Sequence, residues 1–324
     1  MVMGNGLQLA LLISLLLLFL IAVYAFIGNY FYNFALNARK KDLFMKRNGV
    51  SDTVEPQSVR LDDEHQTADD AFAVRFLPER LTIVSADGLR LAGYLYSNVA
   101  TSDKWAIVAH GYHGSHVQMI GFVRHFHERG YHVLAPDLRG HGDSEGHYIG
   151  MGWDDRKDVL LWIDEVLRRQ PNGKIVLFGI SMGGATVMMA SGEPLPPNVK
   201  AIVEDCGYTS VMDQFVHQLK AMFKLPKFPV MYAANWMTRW RAGFDLNDAS
   251  SVKQLASSRT PMLFIHGDRD DFVPYRMMES VYKATAAPKE KLTIRGAAHA
   301  ESSLKDPDIY WETVWTFLGK YMHG

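Results

Sequence analysis

The chain has 324 residues, of which 48% are hydrophobic and 21% charged, so it can bury the core of one large or two small domains. Its 34 Lys and Arg residues nearly balance its 35 Asp and Glu residues, which argues against the basic surface of a nucleic-acid-binding protein. The single cysteine, Cys206, excludes an intrachain disulfide framework and a metal site built only from cysteines.

The N-terminal segment carries no charged side chain over residues 1–38 and is almost wholly apolar over residues 7–27. At about 1.5 Å per residue, residues 7–27 cover about 31 Å, which matches the hydrocarbon thickness of a bilayer. Aromatic residues, which prefer the headgroup level, follow near its far end: Tyr24, Tyr30, Phe31 and Tyr32. A signal peptide would start with basic residues and have a shorter apolar run. We therefore expect residues 1–38 to be a retained transmembrane anchor, with a cleaved signal peptide and a soluble core helix as alternatives.

Basic residues come directly after this segment, at Arg39, Lys40, Lys41, Lys46 and Arg47. Because basic flanks tend to stay on the cytoplasmic side, they predict a single-pass anchor in the cell membrane with the rest of the chain in the cytoplasm. Residues 39–76 add an acidic stretch that is poor in apolar residues before Phe72. We interpret residues 39–76 as a basic flank and a partly helical spacer.

After Pro78 the pattern becomes regular and predicts one domain over residues 77–324. Strand-like runs cover residues 81–84, 89–96, 105–109, 131–135, 174–178, 199–203, 262–265 and 291–294, with a hairpin turn at Asp87 and Gly88. Helix-like segments cover residues 117–129, 154–169, 182–190, 275–286 and 308–321. This alternation predicts an α/β fold with a mostly parallel eight-stranded sheet and helices on both faces.

The segment Gly179-Ile180-Ser181-Met182-Gly183 fits the pattern G-x-S-x-G between a strand and a helix. In that context the pattern is typical of a nucleophile on a tight turn, where glycines let neighbouring backbone pass closely. Ser181 is therefore the candidate nucleophile, and a plain structural turn is the alternative.

Residues 208–259 interrupt the alternation, because they are rich in Met, Phe and Trp and contain no clear strand. The interval is too long for a simple loop, so it predicts an inserted helical cap. The apolar candidates for a substrate pocket in it are Met212, Phe215, Leu219, Met222, Phe223, Met231, Trp236 and Trp240. Together they favour an acyl chain or an aromatic ester over a charged substrate.

A serine nucleophile needs a histidine base and a carboxylate that orients the histidine. Residues 266–274 follow one predicted strand and contain Asp268, Asp270 and Asp271, and His299 follows the last strand. The chain order of serine, aspartate and histidine is the one expected in an α/β hydrolase.

Residues from about 77 to the C-terminus resemble the α/β-hydrolase superfamily. The resemblance rests on His110-Gly111, on residues 137–144 (DLRGHGDS), on the serine turn, on the aspartate loop and on the final Gly-x-x-His at residues 296–299. With the N-terminal segment and a Leu-Pro-x-x-Pro motif at residues 225–229, the whole chain is similar to bacterial membrane-anchored, esterase-like hydrolases. These are akin to serine aminopeptidase and monoacylglycerol lipase relatives. The resemblance implies the α/β-hydrolase fold and serine chemistry, and it supplies no substrate.

The superfamily pattern H-G-x-x-D-x-x-V-P places the orienting carboxylate on Asp270. Asp268 and Asp271 lie in the same loop and remain alternatives, and Asp205 at the end of the strand over residues 199–203 is another. The expected roles are attack by Ser181, proton transfer by His299 and orientation of the imidazole by Asp270.

The oxyanion of the tetrahedral intermediate requires backbone donors, for which we expect the N–H groups of Met182 and Tyr112. A metal site among His110, His113 and His116 is an alternative use of the loop after the strand at residues 105–109. It lacks a carboxylate at suitable spacing, so we expect no metal and no organic cofactor.

These observations predict a serine hydrolase that cleaves carboxylic esters with apolar or lipid-like acyl groups through an acyl-enzyme. The expected partners are a small ester substrate and the bilayer around residues 7–27, with no nucleic acid. A peptidase, an amidase or an acyltransferase could use the same three side chains. From another class, the domain could be a membrane-anchored binding module without catalysis.

Overall fold

The computed structural model of the protein describes residues 5–40 and 63–322. Lys41, Lys46, Arg47 and the first part of the predicted acidic spacer lie outside the described residues.

Eight strands form one sheet: β1 (Glu79–Val84), β2 (Arg90–Tyr96), β3 (Lys104–Ala109), β4 (His132–Pro136), β5 (Lys174–Ile180), β6 (Val199–Asp205), β7 (Met262–Gly267) and β8 (Lys289–Ile294). Their order is β1-β2-β4-β3-β5-β6-β7-β8. β1 pairs antiparallel with β2 across the predicted hairpin, β2 pairs antiparallel with β4, and all other neighbours are parallel. The predicted eight-stranded, mostly parallel sheet is confirmed.

The central strands are buried because their side chains are apolar on both faces of the sheet. Every residue of β7 and all but the first residue of β3 and of β5 are buried. Such continuous Val, Ile, Leu and Phe runs are expected where helices cover a parallel sheet on both sides. The sheet therefore presents the carboxyl ends of β3, β5, β6, β7 and β8 at one edge.

Eleven α-helices are present in the described chain, and from α3 onward they follow β3 in the predicted alternation with strands. They are α1 (Asn5–Ala35), α2 (Asp63–Arg75), α3 (Ile120–Glu128), α4 (Asp155–Arg169), α5 (Met182–Ala190), α6 (Val211–Gln218), α7 (Val230–Arg241), α8 (Ser251–Leu255), α9 (Arg276–Ala284), α10 (Ser302–Lys305) and α11 (Pro307–Gly319). Side chains of α4, α5 and α9 form one core with the cap, and side chains of α3 and α11 form a second core on the other face of the sheet. Short 3-10 turns cover Ala38–Lys40 and His116–Met119.

The cap over residues 208–259 is helical. It consists of α6, a π-helical turn (Leu219–Phe223), α7 and α8, and no strand lies in this interval of the described chain. An isolated bridge between Ser210 and Ser250 closes its base, where each serine also caps a helix: Ser210 accepts from the Asp213 N–H and Ser250 from the Lys253 N–H. Both ends of the cap are therefore held together beside the sheet edge.

The second half of the predicted spacer is helix α2, and it packs on the globular part. Phe72 is buried in the second core, and Asp69 accepts a hydrogen bond from the Arg124 Nε at 2.6 Å. One buried ring and one ion pair dock this helix although its sequence is mostly polar. This part of the predicted spacer therefore contacts the domain.

Helix α1 is long and apolar enough over Gly6–Ala35 to cross a membrane, and its most apolar 18-residue window has a mean hydropathy of 3.0. Residues 6–23 are exposed along their whole length, and contacts with the rest of the protein begin at Tyr24. Near its end, Tyr32 is buried and Phe31 packs edge-on against Phe223 at 5.1 Å. Aromatic side chains in the last turns of α1 therefore contact the cap.

Candidate active site

Ser181 sits on a strained turn between β5 and α5. Its φ is 55° and its ψ is −113°, a combination that is sparsely populated by residues with a side chain. A Cβ on Gly179 would collide with the carbonyl of Gly183, and a Cβ on Gly183 would collide with the carbonyl of Ala109. The two glycines of the motif are therefore required by close backbone approach, and the turn leaves Ser181 at the carboxyl edge of the sheet.

Three side chains from three strand ends meet at this edge. His299, in the loop after β8, has its Nε2 2.8 Å from the Ser181 Oγ. Its Nδ1 is 2.7 Å from the Oδ2 of Asp270, in the loop after β7. The structure thus brings together the serine, histidine and aspartate that the sequence singled out, with both imidazole nitrogens engaged.

Asp270 is buried and surrounded by donors. Its Oδ1 accepts the backbone N–H groups of Phe272 and Val273 at 3.0 and 2.8 Å. Burial alone would raise the pKa of this carboxyl, but the rings of His299 and His266 and their hydrogen bonds hold it well below its usual value. Asp270 is therefore an anion across the physiological pH range.

The other candidate carboxylates have different partners. The Asp268 carboxylate accepts a hydrogen bond from the backbone N–H of Gly296 at 2.7 Å. The backbone carbonyl of Asp271 accepts a hydrogen bond from the Nε2 of His217 at 2.7 Å. Asp205 is buried and accepts from the hydroxyl of Ser302 at 3.2 Å. Burial raises the pKa of the Asp205 carboxyl to about 6, so this carboxyl is mostly protonated below that pH. Among the four, Asp270 is the one hydrogen-bonded to His299.

The loop after β3 passes directly beside the serine, since a Cβ on Gly111 would lie 3.5 Å from the Cβ of Ser181. Met182 follows Ser181 as the first residue of α5, where backbone N–H groups have no partner within the helix. The phenol of Tyr112 is buried and donates to the carbonyl of Ala35, the last residue of α1, at 2.7 Å. The role of the Met182 and Tyr112 N–H groups stays a prediction, and the Tyr112 side chain has a partner that the sequence did not suggest.

Two of the histidines in the superfamily motifs connect the loops around the serine. The Nδ1 of His110 faces the carbonyl of Gly111 at 2.7 Å, while its Nε2 accepts the Leu138 N–H at 3.0 Å. His141 likewise bridges the Arg139 carbonyl and the His113 N–H. His116 is instead hydrogen-bonded to Asp137 at 3.0 Å. These bonds give the imidazoles a bracing role in the two loops.

The one group of possible metal ligands found in the described chain is Cys206 with Asp270 and His299, whose ligand atoms lie within 4.8 Å of one another. Burial, together with the charges of Asp205 and Asp270, raises the pKa of the Cys206 thiol well above its ordinary value. A protonated thiol is a poor metal ligand. The donor set therefore fits proton transfer between Asp270 and His299 better than metal binding.

Three side chains support the site without having been singled out from the sequence. The Nε2 of His266 faces the Val273 carbonyl at 2.8 Å and lies 3.2 Å from the Asp270 Oδ2. Gln214 and Gln218 of α6 both donate to the carbonyl of Phe272 at 2.8 Å. The histidine was visible in the H-G-x-x-D pattern, whereas the glutamines show only an unremarkable spacing of four on a helix.

A small apolar pocket lies between the cap and the last turns of α1. Its walls include Phe31 and Ala35 of α1 and Leu219, Phe223 and Met231 of the cap. Gln218 belongs both to this pocket and to the clamp on Phe272, whose ring packs 4.8 Å from the ring of His299. Gln218 therefore contacts both the pocket and the loop that carries Asp270.

Comparisons with known proteins agree with this architecture. Residues 105–251 match a family model described as the alpha/beta hydrolase fold. Protein YqkD of Bacillus subtilis is 27% identical over 280 residues, which cover 85% of this chain and 89% of YqkD. Protein YfhR of Escherichia coli K12 is 25% identical over 251 residues, which cover 74% of this chain and 80% of YfhR.

Solved structures share the fold at low sequence identity. The esterase Pf2001 of Pyrococcus furiosus superimposes with a TM-score of 0.63 at 22% identity, over 77% of this chain and 93% of the esterase. The acylaminoacyl peptidase of Pyrococcus horikoshii gives a TM-score of 0.56 at 18% identity, over 74% of this chain and 41% of the peptidase. Together with the strand order and the serine turn described above, these likenesses show that the chain has the α/β-hydrolase fold.

Proposed function

We propose that the protein is a serine hydrolase that cleaves carboxylic esters with apolar acyl groups through an acyl-enzyme intermediate. The observation that carries this proposal is the continuous hydrogen-bonded arrangement from Ser181 to His299 to Asp270, with links of 2.8 and 2.7 Å. Such an arrangement is suited to activating a hydroxyl whose own pKa is far too high for nucleophilic attack at neutral pH.

In the proposed reaction, the Oγ of Ser181 attacks the carbonyl carbon of the ester while the Nε2 of His299 takes the hydroxyl proton. Asp270 accepts from the Nδ1–H, holds the tautomer and stabilises the imidazolium that forms. His299 then gives the proton to the leaving alcohol, which departs and leaves an acyl group on Ser181. A water molecule, activated in the same way, releases the carboxylic acid.

We assign the oxyanion to the backbone N–H groups of Met182 and Tyr112. The position of Met182 at the start of α5 and the passage of the Gly111 backbone beside Ser181 support this assignment. Donors aimed at the developing negative charge commonly contribute about 3 kcal/mol each to such reactions.

An apolar acyl group is supported by the pocket between α1 and the cap, whose walls are almost entirely hydrocarbon and aromatic. Burial of each methylene group there would contribute about 0.8 kcal/mol. The solved esterase with a similar fold is consistent with ester chemistry. The expected substrate is therefore an uncharged ester with a hydrophobic acyl chain.

The test is labelling with a fluorophosphonate probe, which reacts with activated serine hydroxyls. We expect labelling of the full-length protein and none of Ser181→Ala, whose thermal unfolding serves as the folding control. A ladder of p-nitrophenyl esters of increasing acyl length should then be hydrolysed by the first protein alone. Absence of labelling in the folded protein, or equal labelling of Ser181→Ala, would reject the proposal and leave a non-catalytic binding module.

The same assays separate the related chemistries. Faster turnover of an aminoacyl amide or peptide than of any ester would assign a peptidase, and transfer of the acyl group to an added alcohol instead of water would assign an acyltransferase. Both outcomes keep Ser181 as nucleophile and replace only the substrate class.

We further propose that α1 anchors the protein in the cell membrane with the catalytic domain in the cytoplasm. Its exposed apolar length and the basic residue Arg39 that follows it support this orientation. Protease added to intact cells should leave the domain uncut, and protease added to opened cells should cut it. Cleavage in intact cells would reverse the orientation.

A further inference from the structure

Exposed aromatic side chains outside α1 are confined, within the described chain, to one stretch of the cap: Phe228, Tyr232, Trp236 and Trp240, here called the aromatic stripe. They are between 48% and 73% exposed. Their spacing of four residues aligns them along α7 and the turn before it. The opposite face of α7 is buried in the cap, so the face left to solvent is aromatic where a soluble helix would be polar. An exposed patch of this kind indicates an apolar partner.

The contacts between α7 and α1 show how the stripe is oriented. A Cβ on Gly28 of α1 would collide with the carbonyl of Ala233 and lie 3.3 Å from the Cβ of Met237. Met231, Ala234 and Thr238, which lie along one side of α7, all line the pocket beside the last turn of α1, so α7 crosses α1 instead of running along it. Trp236, on the stripe, meets α1 one turn closer to its start, with its ring 6.4 Å from that of Tyr24. The aromatic stripe therefore crosses α1 near Tyr24, where the exposed N-terminal part of α1 ends.

The exposed length of α1 indicates where the aromatic stripe lies relative to the bilayer surface. Residues 6–23, at about 1.5 Å each, cover about 27 Å, close to the hydrocarbon thickness of a bilayer of about 30 Å. If this part is in lipid, the membrane surface lies at Tyr24, which is the level of Trp236. Trp and Tyr rings are the side chains most enriched at that level. Two lysines, Lys224 and Lys227, are exposed in the segment that leads into the stripe, where anionic headgroups would attract them.

We propose that the aromatic stripe lies in the lipid–water interface of the membrane that α1 spans, so that the cap rests on the bilayer. The partner is the lipid surface itself, and the inference depends on the proposed retention of α1 as an anchor. It goes beyond a tethered domain, because it sets the orientation of the domain on the membrane and turns the cap toward the lipid phase.

The experiment uses single spin labels on the full-length protein in nanodiscs of mixed zwitterionic and anionic phospholipids. Cys206 is wholly buried, so introduced surface cysteines can be labelled selectively. The labelled variants are Tyr232→Cys and Trp240→Cys on the stripe, Leu16→Cys in α1, and Ile309→Cys as the control. Ile309 is 48% exposed and lies on α11, which packs on the other face of the sheet. Thermal unfolding checks that each variant is folded, and two stripe positions guard against the loss of one.

Collision of the label with oxygen reports lipid, and collision with a water-soluble nickel chelate reports water. At residues 16, 232 and 240 we expect the label to collide more often with oxygen than with the nickel chelate. At residue 309 we expect more collisions with the nickel chelate than with oxygen. Nickel access at residues 232 and 240 equal to that at residue 309, with residue 16 in lipid, would reject the stripe while retaining the anchor. Protection of residues 232 and 240 from both reagents, with spectral broadening caused by nearby labels, would assign the stripe to a contact with a second copy of the chain. Exposure of residue 16 to water would reject both the anchor and the proposed position of the stripe.

Discussion

At the scale of single residues, the candidate site combines an anionic carboxylate with a serine in a strained backbone conformation. Ser181 holds a conformation that costs about 1–3 kcal/mol, and the surrounding backbone maintains it through the Ser181 N–H bond to the Asp205 carbonyl at 2.8 Å. Asp270 stays ionised because two histidines and two backbone N–H groups face it. The backbone strain of Ser181 and the buried charge of Asp270 therefore lie together at the carboxyl ends of the strands.

Replacing Asp270 by asparagine tests which carboxylate orients His299. The amide keeps the volume but can donate to the Nδ1 and so favours the wrong tautomer, which is expected to lower kcat about 10³–10⁴-fold. Asp268→Asn is the matched control in the same loop, and it should stay within about tenfold of the unmodified protein because its oxygen can still accept from Gly296. Comparable losses in both variants would contradict the assignment. Ester hydrolysis under saturating substrate provides the measurement.

Glu204 predicts an unusual pH dependence of stability. It is buried behind the site, and burial raises its pKa from an ordinary 4.5 to about 8. Between those pH values the folded state holds a proton that the unfolded state has released, so stability is complete below about pH 4.5 and falls as the pH rises toward 8. One proton corresponds to about 1.4 kcal/mol per pH unit.

Glu204→Gln should remove this contribution while its side-chain oxygen still accepts the Gly207 N–H. The free energy of unfolding, measured by urea titration from pH 5 to 8, should therefore decline less steeply in the variant, by about one proton. The slope does not vanish, because burial also raises the pKa of Asp155 to about 7. Parallel curves for the two proteins would show that Glu204 is ionised in the folded state.

At the scale of elements, the crossing of α1 and α7 is the contact that joins the N-terminal helix to the cap. Tyr32, Phe34 and Leu36 of this region are buried, and Arg241 of α7 donates to Asn29 at 2.9 Å. The crossing depends on close backbone approach at Gly28, which has no room for a side chain. The helix is thus both a candidate membrane span and a structural part of the domain.

Gly28→Ala should destabilise the protein although alanine is the better helix former. The added methyl group collides with the Ala233 carbonyl and must push α1 and α7 apart, at a cost of about 1–3 kcal/mol. Gly6→Ala is the matched control in the same helix, because nothing lies within 4 Å of its Cβ position. The measurement is thermal unfolding in detergent, with a lower Tm expected for Gly28→Ala alone. An unchanged Tm in both variants would mean that the crossing is loose.

At the scale of the whole molecule, α1 has an exposed N-terminal part and a packed C-terminal part. The exposed part, residues 6–23, contributes nothing to the core, whereas the packed part lines the apolar pocket and accepts the phenol of Tyr112. Tyr32, Phe34 and Leu36 are buried, and burial of a large side chain stabilises the folded state by about 1.5–3 kcal/mol relative to leaving it exposed.

Two deletions separate these parts. Deletion of residues 2–23 should leave a folded protein that still reacts with a fluorophosphonate, because every buried side chain of α1 remains. Deletion of residues 2–38 should lower the Tm strongly and reduce labelling of Ser181, because it opens the pocket and leaves Tyr112 without its acceptor. Equal Tm values for the two proteins, measured in the same detergent, would show that the packed part of α1 is dispensable.

Sequence patterns alone were sufficient for the fold and for Ser181 and His299 as candidate site residues. Apolar runs of strand length alternating with amphipathic helices predict a parallel sheet, and in such a sheet the segments after β5, β7 and β8 must emerge at one edge. The serine turn was recognisable because its glycines are a local steric requirement. Both signals depend on periodicity and on neighbours in the chain, which the amino-acid sequence contains directly.

Only the tertiary structure decided among Asp205, Asp268, Asp270 and Asp271, because the choice depends on a distance to His299 and not on spacing. It also decided that α2 packs on the domain, that Gln214 and Gln218 clamp the aspartate loop, and that the end of α1 contacts both the cap and Tyr112. Each of these contacts joins residues far apart in the chain. The contacts depend on the buried ring of Phe72, on the Phe272 carbonyl that both glutamines bind, and on the close approach that Gly28 allows. No periodic pattern accompanies such single long-range contacts, so they became visible only when the chain was folded.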